Sequence, residues 1–224
     1  MTLLRLLLAT TLVTNLGLST ISHSADSFNI LLYHHISSTA PRSTSLSAEE
    51  FEGHLQYLKD NEYHVVALGD ALKAVQTAQP LPSKSVVITF DDAWRDIYEQ
   101  GLPLLKKYDY PFTVFVNTDP VDQNNRHAMT WDMLRDLKHH KGSLANHTRD
   151  HAYLVRKPEY DDVWLSATLA NIEHAQQRLE QELGHTPKWL AYPFGEYNNV
   201  LKQALKERGY TAFGQQSGGV AAFS

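Results

Sequence analysis

The sequence of 224 residues contains no cysteine. This absence excludes disulfides, thiolate nucleophiles, cysteine-ligated zinc and iron–sulfur clusters. A transition metal held by side chains would therefore need His, Asp or Glu, and the chain has 12 His and 25 Asp+Glu. A basic excess is also lacking, because the formal net charge is -5, which argues against a nucleic-acid partner.

Long apolar runs are lacking as well. The most apolar segment, Leu3–Leu18, is short for a membrane-spanning helix, which needs about 20 residues. Arg5 supplies a positive charge near its start, and Ser22–Ala25 offers small residues for cleavage. These features predict a secretory signal peptide over residues 1–25, with an uncleaved anchor as the alternative. We therefore expect an exported protein, periplasmic or secreted, without a membrane span in its mature form.

Residues 26–224 are expected to form one domain. The whole chain is 42% hydrophobic and 20% charged, which is ordinary for a globular protein. Short apolar runs alternate with amphipathic segments, which predicts parallel strands joined by crossover helices in a distorted or incomplete (β/α) barrel of about seven strands. The predicted strands are 28–33, 64–67, 85–90, 112–117, 143–146, 189–192 and 210–213. The predicted helices are 47–61, 70–79, 97–108, 130–140, 161–183 and 198–208.

Polar side chains cluster where four of the predicted strands end. They are Tyr33–His35, Asp91–Asp92, His147–His151 and Tyr192–Gly195. In parallel barrels the carboxyl ends of the strands meet at one mouth, where the chemistry takes place. The sequence therefore predicts that these four segments lie together.

The first of these groups to suggest chemistry is the histidine pair. His147 and His151 are four residues apart, a spacing that would place both imidazoles on one face of a helical turn and allow metal chelation. Spacing alone leaves two solvated loop histidines as an equal alternative. Thr148 stands where the HExxH metalloproteases have glutamate, which excludes that class.

Asp91 and Asp92 strengthen the metal interpretation. Two adjacent carboxylates at the end of an apolar strand are costly unless a cation is near. A helix N-cap explains one of them but not both. With two His, one Asp and an open position, the site would be hydrolytic, one carboxylate binding the metal and the other acting on water. A non-haem iron oxygenase is an alternative, although its usual HxD…H order is absent.

Three motifs occur in a fixed order on this strand pattern: TFDD at 89–92, HTRDH at 147–151 and YPFG at 192–195. Together they resemble the polysaccharide deacetylases of the NodB-homology type (carbohydrate esterase family 4), over about residues 28–216. YHHI at 33–36 and MTWDML at 129–134 resemble the branch that deacetylates poly-β-1,6-N-acetylglucosamine in biofilm matrix.

The resemblance implies a role for each matching side chain. Asp92, His147 and His151 would bind one divalent metal ion, zinc by the usage of the family, with cobalt or nickel as alternatives. Asp91 would be the general base that activates water. The substrate would be an acetylated polysaccharide, and the machinery for exopolysaccharide export is the expected partner.

The remaining roles are assigned to three further segments. His34 would be the general acid that protonates the leaving amine, with His35 as the alternative. The backbone N–H near Phe194 would help to hold the oxyanion. Substrate contacts are predicted for Tyr192, Pro193, Gly195 and Trp131, although packing explains the two aromatic residues equally well.

The chain departs from the family pattern in two ways. Ala191 stands where many members have an arginine that orients the base. The late motifs are missing, and the end at Gly218–Ser224 is abrupt for a barrel, so we expect a truncated or naturally short form. These departures leave a chitooligosaccharide or peptidoglycan deacetylase, or an inactive carbohydrate-binding relative, as alternatives.

Overall fold

The structure is a computed structural model that describes residues 24–25, 27–156, 161–215 and 220–221. The predicted signal peptide, except for its last two residues, lies outside this part of the chain. So does most of the C-terminal segment 218–224, so its predicted truncation stays a prediction. Within the described residues, no helix is both long and apolar enough to cross a membrane.

The described residues alternate between strands and helices, as predicted. The strands are β1 Ser24–Ala25, β2 Ser27–Tyr33, β3 His35–Ile36, β4 Ser45–Leu46, β5 His64–Val65, β6 Leu81–Pro82, β7 Ser85–Phe90, β8 Phe112–Val116, β9 Gly142–Asn146, β10 Trp189–Ala191, β11 Thr211–Phe213 and β12 Val220–Ala221. The α-helices are α1 Ala48–Asp60, α2 Leu68–Gln76, α3 Leu102–Tyr108, α4 Thr118–Asp122, α5 Trp131–Leu137, α6 Asp162–Leu183 and α7 Asn199–Glu207.

One curled sheet organises the molecule. Its strands lie in the order β11–β10–β9–β8–β7–β2–β12, and β5 pairs with the first residues of β7. All of these pairings are parallel except the antiparallel contact of β12 with β2. The sheet forms a half-barrel with helices around it, which confirms the predicted distorted or incomplete barrel.

Strand β7 is the centre of the core, and all six of its residues are buried. Val86, Ile88 and Phe90 pack with α1, α3 and α5 in one apolar cluster. Val87 belongs to a second cluster that contains residues of α2. Since neighbouring side chains of a strand point to opposite faces, β7 is covered on both sides, as parallel sheets require.

The apolar sequence of β2 favours a buried strand, but most of its residues are half-buried or exposed. Phe28 is buried, but Leu32 is 37% exposed. The reason is its position near the edge of the sheet, where β12 is its outer neighbour. Fewer elements therefore cover β2 than cover β7.

Four helices begin at residues that cap them, among them α5, where the Thr130 hydroxyl accepts from the Met133 amide at 3.2 Å. The Ser47 hydroxyl accepts from the Glu50 amide at 3.1 Å, and the Glu50 carboxylate accepts from the Ser47 amide at 2.8 Å, which is the predicted capping box. Asp161 and Asn198 cap α6 and α7 in the same way, each accepting a backbone N–H at 2.8 Å. These caps satisfy amides that have no partner inside the helix.

Several short elements differ from the sequence-based expectation. Helix α4 and the pairs β1–β6 and β3–β4 were not predicted, because elements of two to five residues carry no measurable periodicity. The predicted helix 97–108 begins with a π-helical turn at Ile97–Gly101. The helix 130–140 ends in a 3-10 turn, and left-handed Lys141 leads into β9.

The core position of β7 predicts the effect of a truncation. Val87 is fully buried, whereas Val163 is 76% exposed on α6. Val87→Ala should lower the free energy of unfolding by roughly 2 kcal/mol, because it removes buried methyl groups and leaves a cavity. Val163→Ala is the matched control and should change it by less than about 0.5 kcal/mol. Urea unfolding followed by circular dichroism measures both, and equal losses would contradict this account of the core.

Candidate metal centre

The four predicted segments meet at one edge of the sheet. His34 follows β2, Asp91 and Asp92 follow β7, and His147 follows β9. His34 lies near enough to act electrostatically on Asp91, Asp92 and His151. The prediction that the strand ends converge is therefore confirmed for these residues.

Asp92, His147 and His151 form the most compact polar group at this edge. Oδ1 of Asp92 lies 3.4 Å from Nε2 of His147 and 3.4 Å from Nε2 of His151. One ligand atom from each residue lies within 4.8 Å of the others, so the three could hold a single metal ion. Two imidazoles and one carboxylate are a common donor set for divalent transition metals.

The two imidazoles are not brought together by a helical turn, and that prediction is wrong. Residues 147–151 form a loop in which Thr148 has φ 71° and His151 has φ 54°. The loop is fixed by hydrogen bonds from the Thr148 amide to Asn146 Oδ1 at 2.7 Å and from the His151 amide to Thr148 Oγ1 at 3.1 Å. Side-chain hydrogen bonds to the backbone thus replace the helical geometry.

His147 is held in one orientation. Its Nδ1 lies 2.8 Å from the carbonyl of Ala191, and because a carbonyl can only accept, Nδ1 carries the proton. The other nitrogen, Nε2, therefore presents a lone pair towards Asp92. It is buried and has no hydrogen-bond partner within the described residues. A buried unpartnered nitrogen beside a carboxylate fits a metal ion, since such an atom is otherwise costly.

Asp91 lies beside this group and is 2% exposed. One of its oxygens is 3.9 Å from Nε2 of His147. Burial raises the pKa of the Asp91 carboxyl, and the charges of His147 and His34 oppose that rise. A carboxylate with a raised pKa is better able to accept a proton than an ordinary aspartate.

The pKa of Asp92 moves in the opposite direction. Burial raises it, but the neighbouring imidazoles of His147 and His151 outweigh burial and lower it to about 2. His147 is fully buried, which lowers its pKa, yet Asp91 and Asp92 reverse that effect and raise it. Both shifts indicate that the site favours a positive charge between the carboxylates, which a metal ion would supply.

Trp94 and His35 support the site from one side. The Trp94 indole N–H donates to Oδ2 of Asp92 at 3.1 Å, so that Oδ1 is the oxygen that faces the two imidazoles. The His35 ring stacks on Trp94 at 4.4 Å, and its Nδ1 lies 2.7 Å from Asp96 Oδ2. His35 is thereby engaged, which favours His34 for the predicted acid role.

The loop after β10 lies on the other side of the site. The Phe194 ring packs against the His151 ring at 4.5 Å, and the residue has φ 59°. The Gly195 amide donates to the Tyr192 carbonyl at 2.8 Å, whereas the Phe194 amide has no acceptor in the described part of the chain. An amide free to donate is what the predicted oxyanion role requires.

Gly195 has φ 68°, and a Cβ built on it would lie 2.6 Å from Gln215 Cβ. Glycine is therefore required for the close approach of residue 215, and its predicted contact with substrate stays a prediction.

Three of the predicted substrate contacts have packing roles. Tyr192 is 3% exposed and stacks on Tyr197, and Pro193 is also buried. The Trp131 indole N–H donates to Asp122 at 2.9 Å, and Arg178 lies 5.2 Å over its ring. The Trp131 contacts are to the neighbouring α4 and α6. The substrate roles of Tyr192, Pro193 and Trp131 stay predictions.

Three residues of the site were not predicted from the sequence. Asn117 donates to the His147 carbonyl at 2.9 Å, and Asn146 is fully buried and fixes the histidine loop. Gln215 lies against Asp91, where its amide stabilises the charged carboxylate. Asn117, Asn146 and Gln215 each end or follow a parallel strand. The expectation that polar residues at the carboxyl ends of the strands form the site could therefore also have located these three.

The site consists of two imidazoles and a carboxylate, with a second buried carboxylate beside them, at the carboxyl edge of a parallel half-barrel. A site of this class could bind a metal ion and activate water. Residues 78–213 match the family described as polysaccharide deacetylase. The chain belongs to this family.

Three known proteins illustrate the similarity. YxkH of Bacillus subtilis is 29% identical over 182 residues, which is 81% of this chain and 61% of YxkH. The poly-beta-1,6-N-acetyl-D-glucosamine N-deacetylase of Staphylococcus aureus is 28% identical over 191 residues, 83% of this chain and 66% of that protein. The chain thus spans less than two thirds of both relatives. The structure of Streptococcus pyogenes deacetylase PplD in complex with acetate has a TM-score of 0.74 and 25% identity, covering 84% of this chain and 82% of PplD.

The hydrogen bond from Trp94 to Asp92 predicts an effect on metal affinity. Trp94→Phe removes the indole N–H but keeps an aromatic ring beside His35, so the zinc dissociation constant should rise about tenfold or more. Trp131→Phe is the matched control, because its indole N–H bonds to Asp122 instead. Competition with a chromophoric chelator measures both without using activity, and equal affinities would show that the indole does not hold Asp92.

Proposed function

We propose that this protein is a metal-dependent hydrolase that removes N-acetyl groups from an N-acetylglucosamine-containing polysaccharide, of the poly-β-1,6-N-acetylglucosamine type. The observation that carries the proposal is the compact group of Asp92, His147 and His151, with Asp91 buried 3.9 Å from His147 Nε2. Membership of the polysaccharide deacetylase family supports the same reaction class.

The donor set would hold a divalent cation through Asp92, His147 and His151. When bound, such an ion polarises a carbonyl and makes water more acidic. Zinc is the proposed ion because it accepts imidazole and carboxylate ligands in tetrahedral sites and leaves one position open, with cobalt and nickel as alternatives.

The protein's own residues would perform the proton transfers. Asp91 accepts a proton from the attacking water, since burial makes its carboxylate a stronger base. His34 then donates a proton to the amine nitrogen as the C–N bond breaks, releasing acetate and a free amine. The Phe194 N–H donates to the oxygen of the acetyl group as negative charge develops there.

The substrate and the location of the protein are part of the proposal. The named relative from Staphylococcus aureus acts on poly-beta-1,6-N-acetyl-D-glucosamine, and its similarity supports this polymer as the substrate. The N-terminal sequence, with Arg5 near the start of the apolar run Leu3–Leu18, supports export to the periplasm or the exterior. Partnership with exopolysaccharide export machinery follows from that location.

The assignment of the base predicts the outcome of one substitution. Asp91→Asn keeps the volume of the side chain but cannot accept the proton, so acetate release should fall by about 10²–10⁴-fold. Bound zinc, measured by plasma mass spectrometry, should stay at the wild-type stoichiometry. Asp132→Asn is the control, because that carboxylate is 92% exposed on α5 and should be dispensable. Full activity of Asp91→Asn would show that another group is the base.

The proposed substrate predicts a preference among glycans. Acetate release should be highest on β-1,6-linked N-acetylglucosamine oligomers and at least about tenfold lower on chitin and peptidoglycan oligomers. A tenfold preference corresponds to about 1.4 kcal/mol of differential transition-state binding. Chromatographic or enzymatic acetate assays on one panel measure this ratio. Activity on the last two substrates alone would overturn the proposed polymer, and sugar binding without acetate release would indicate an inactive relative.

A further inference from the structure

A row of stacked side chains joins two loops beside the metal centre. One loop follows His151, and the other is the segment 192–196 after β10. The Tyr153 ring lies nearly parallel to the Phe194 ring at 3.8 Å, and the guanidinium carbon of Arg156 lies 3.9 Å from the centre of the Tyr153 ring. The Phe194 ring also packs on the His151 imidazole at 4.5 Å. The row therefore runs from one member of the donor group to a charged side chain at the surface.

An ion pair fastens the end of this row to the second loop. The Arg156 Nε–H lies 2.8 Å from Glu196 Oε2 and 3.0 Å from Oε1, and Nη2 also donates to Oε1. Glu196 is two residues after Phe194, so Arg156 reaches the same loop through the stacked rings and through a carboxylate. An isolated exposed ion pair contributes little, but two donors on one carboxylate, backed by a cation–π contact, hold one geometry.

Phe194 needs such support because its backbone is strained. Its φ of 59° lies in the left-handed region, which costs a non-glycine residue about 1–3 kcal/mol and persists only where the surroundings hold it. The residue is 39% exposed, so the apolar core encloses only part of its side chain. Tyr153 covers one face of the ring, and Arg156 ties Tyr153 to Glu196 in the same loop.

We propose that Arg156 and Glu196 are positioning residues that hold Phe194 in the conformation in which its backbone N–H stabilises the developing oxyanion. The inference rests on the proposed function, because it takes this N–H to be the oxyanion donor. Both side chains act through Phe194, and neither is assigned a contact with the reacting atoms. An oxyanion donor acts only when it is fixed where the charge develops. Release of the loop should therefore slow the chemical step more than it weakens substrate binding.

The test compares Arg156→Ala, Glu196→Gln and the double variant with the wild type, all loaded with zinc. The kcat for acetate release from a β-1,6-linked N-acetylglucosamine pentasaccharide should fall about tenfold in each, with KM unchanged within about twofold. The double variant should fall no further than the worse single variant, because both substitutions break the same contact. Arg135→Ala is the matched control and should keep the wild-type kcat. Its guanidinium pairs with Asp132 and Glu182 at the surface between α5 and α6 and is 44% exposed.

Hydrogen–deuterium exchange of peptides that cover residues 192–198 gives a readout that does not depend on activity. The Gly195 amide donates to the Tyr192 carbonyl at 2.8 Å, and the Glu196 amide donates to the Pro193 carbonyl at 3.3 Å. Both amides should exchange at least about threefold faster when the loop is released, whereas the control variant should match the wild type. Zinc content should be equal in all variants, which separates release of the loop from damage to the metal centre.

Unchanged exchange in both single variants overturns the inference, because the ion pair then does not hold the loop. Faster exchange with an unchanged kcat also overturns it, since the loop is then held without effect on the reaction. A rise in KM alone does so as well, because it would show that Arg156 or Glu196 binds the glycan instead. If the wild type releases no acetate, the proposed function fails and the oxyanion role with it, while the exchange rates still decide whether the two side chains hold the loop.

Discussion

Parallel pairing of the strands is the constraint on which the site depends. Strand β9 pairs with β8 through Val116↔Asn146 and with β10 through Leu190↔Asn146, so its last residue is fixed by both neighbours. His147 comes next, and its imidazole reaches the Ala191 carbonyl at the end of β10. A slip of one strand by two residues would move its end by about 6.6 Å, more than the spread of the donor atoms of Asp92, His147 and His151. The register of the sheet therefore sets the geometry of the donor group.

The sequence predicts the order of the strands and helices because the apolar runs of buried strands are its clearest patterns. The run Ser85–Phe90 is apolar and is flanked by polar residues, and its predicted limits agree with β7. The histidine loop was mispredicted because a spacing of four residues is compatible with both a helix and a compact loop. The loop is selected by Asn146 and Thr148, whose side chains bond to backbone amides. Such contacts depend on the chain's path in space and have no periodic signature.

The site also has a cost in stability that the core offsets. Asp91 and His147 are buried, and desolvation opposes the charged form of both. Asp92, Ala93 and Thr148 have left-handed backbone conformations, which non-glycine residues adopt rarely and at a cost of about 1–3 kcal/mol each. Asp92 and Ala93 follow the wholly buried strand β7, and Thr148 follows β9, which pairs with the wholly buried strand β8. These strands supply apolar burial. Strained, charged loops on a rigid apolar sheet are typical of sites selected for chemistry and not for stability.

Aromatic rings flank the donor group on two sides, and each contacts a different residue of that group. Trp94 bonds to Asp92, and Phe194 packs on His151 and in turn stacks on Tyr153 at 3.8 Å. Phe194 and Tyr153 are 39% and 42% exposed, so this side of the site is open to a ligand. A long glycan that touched both aromatic sides would contact the groups that orient the two ligand residues. These contacts would position the glycan. They would also restrict the motion of Asp92 and His151, because a ring that is held in place restricts the carboxylate or imidazole beside it.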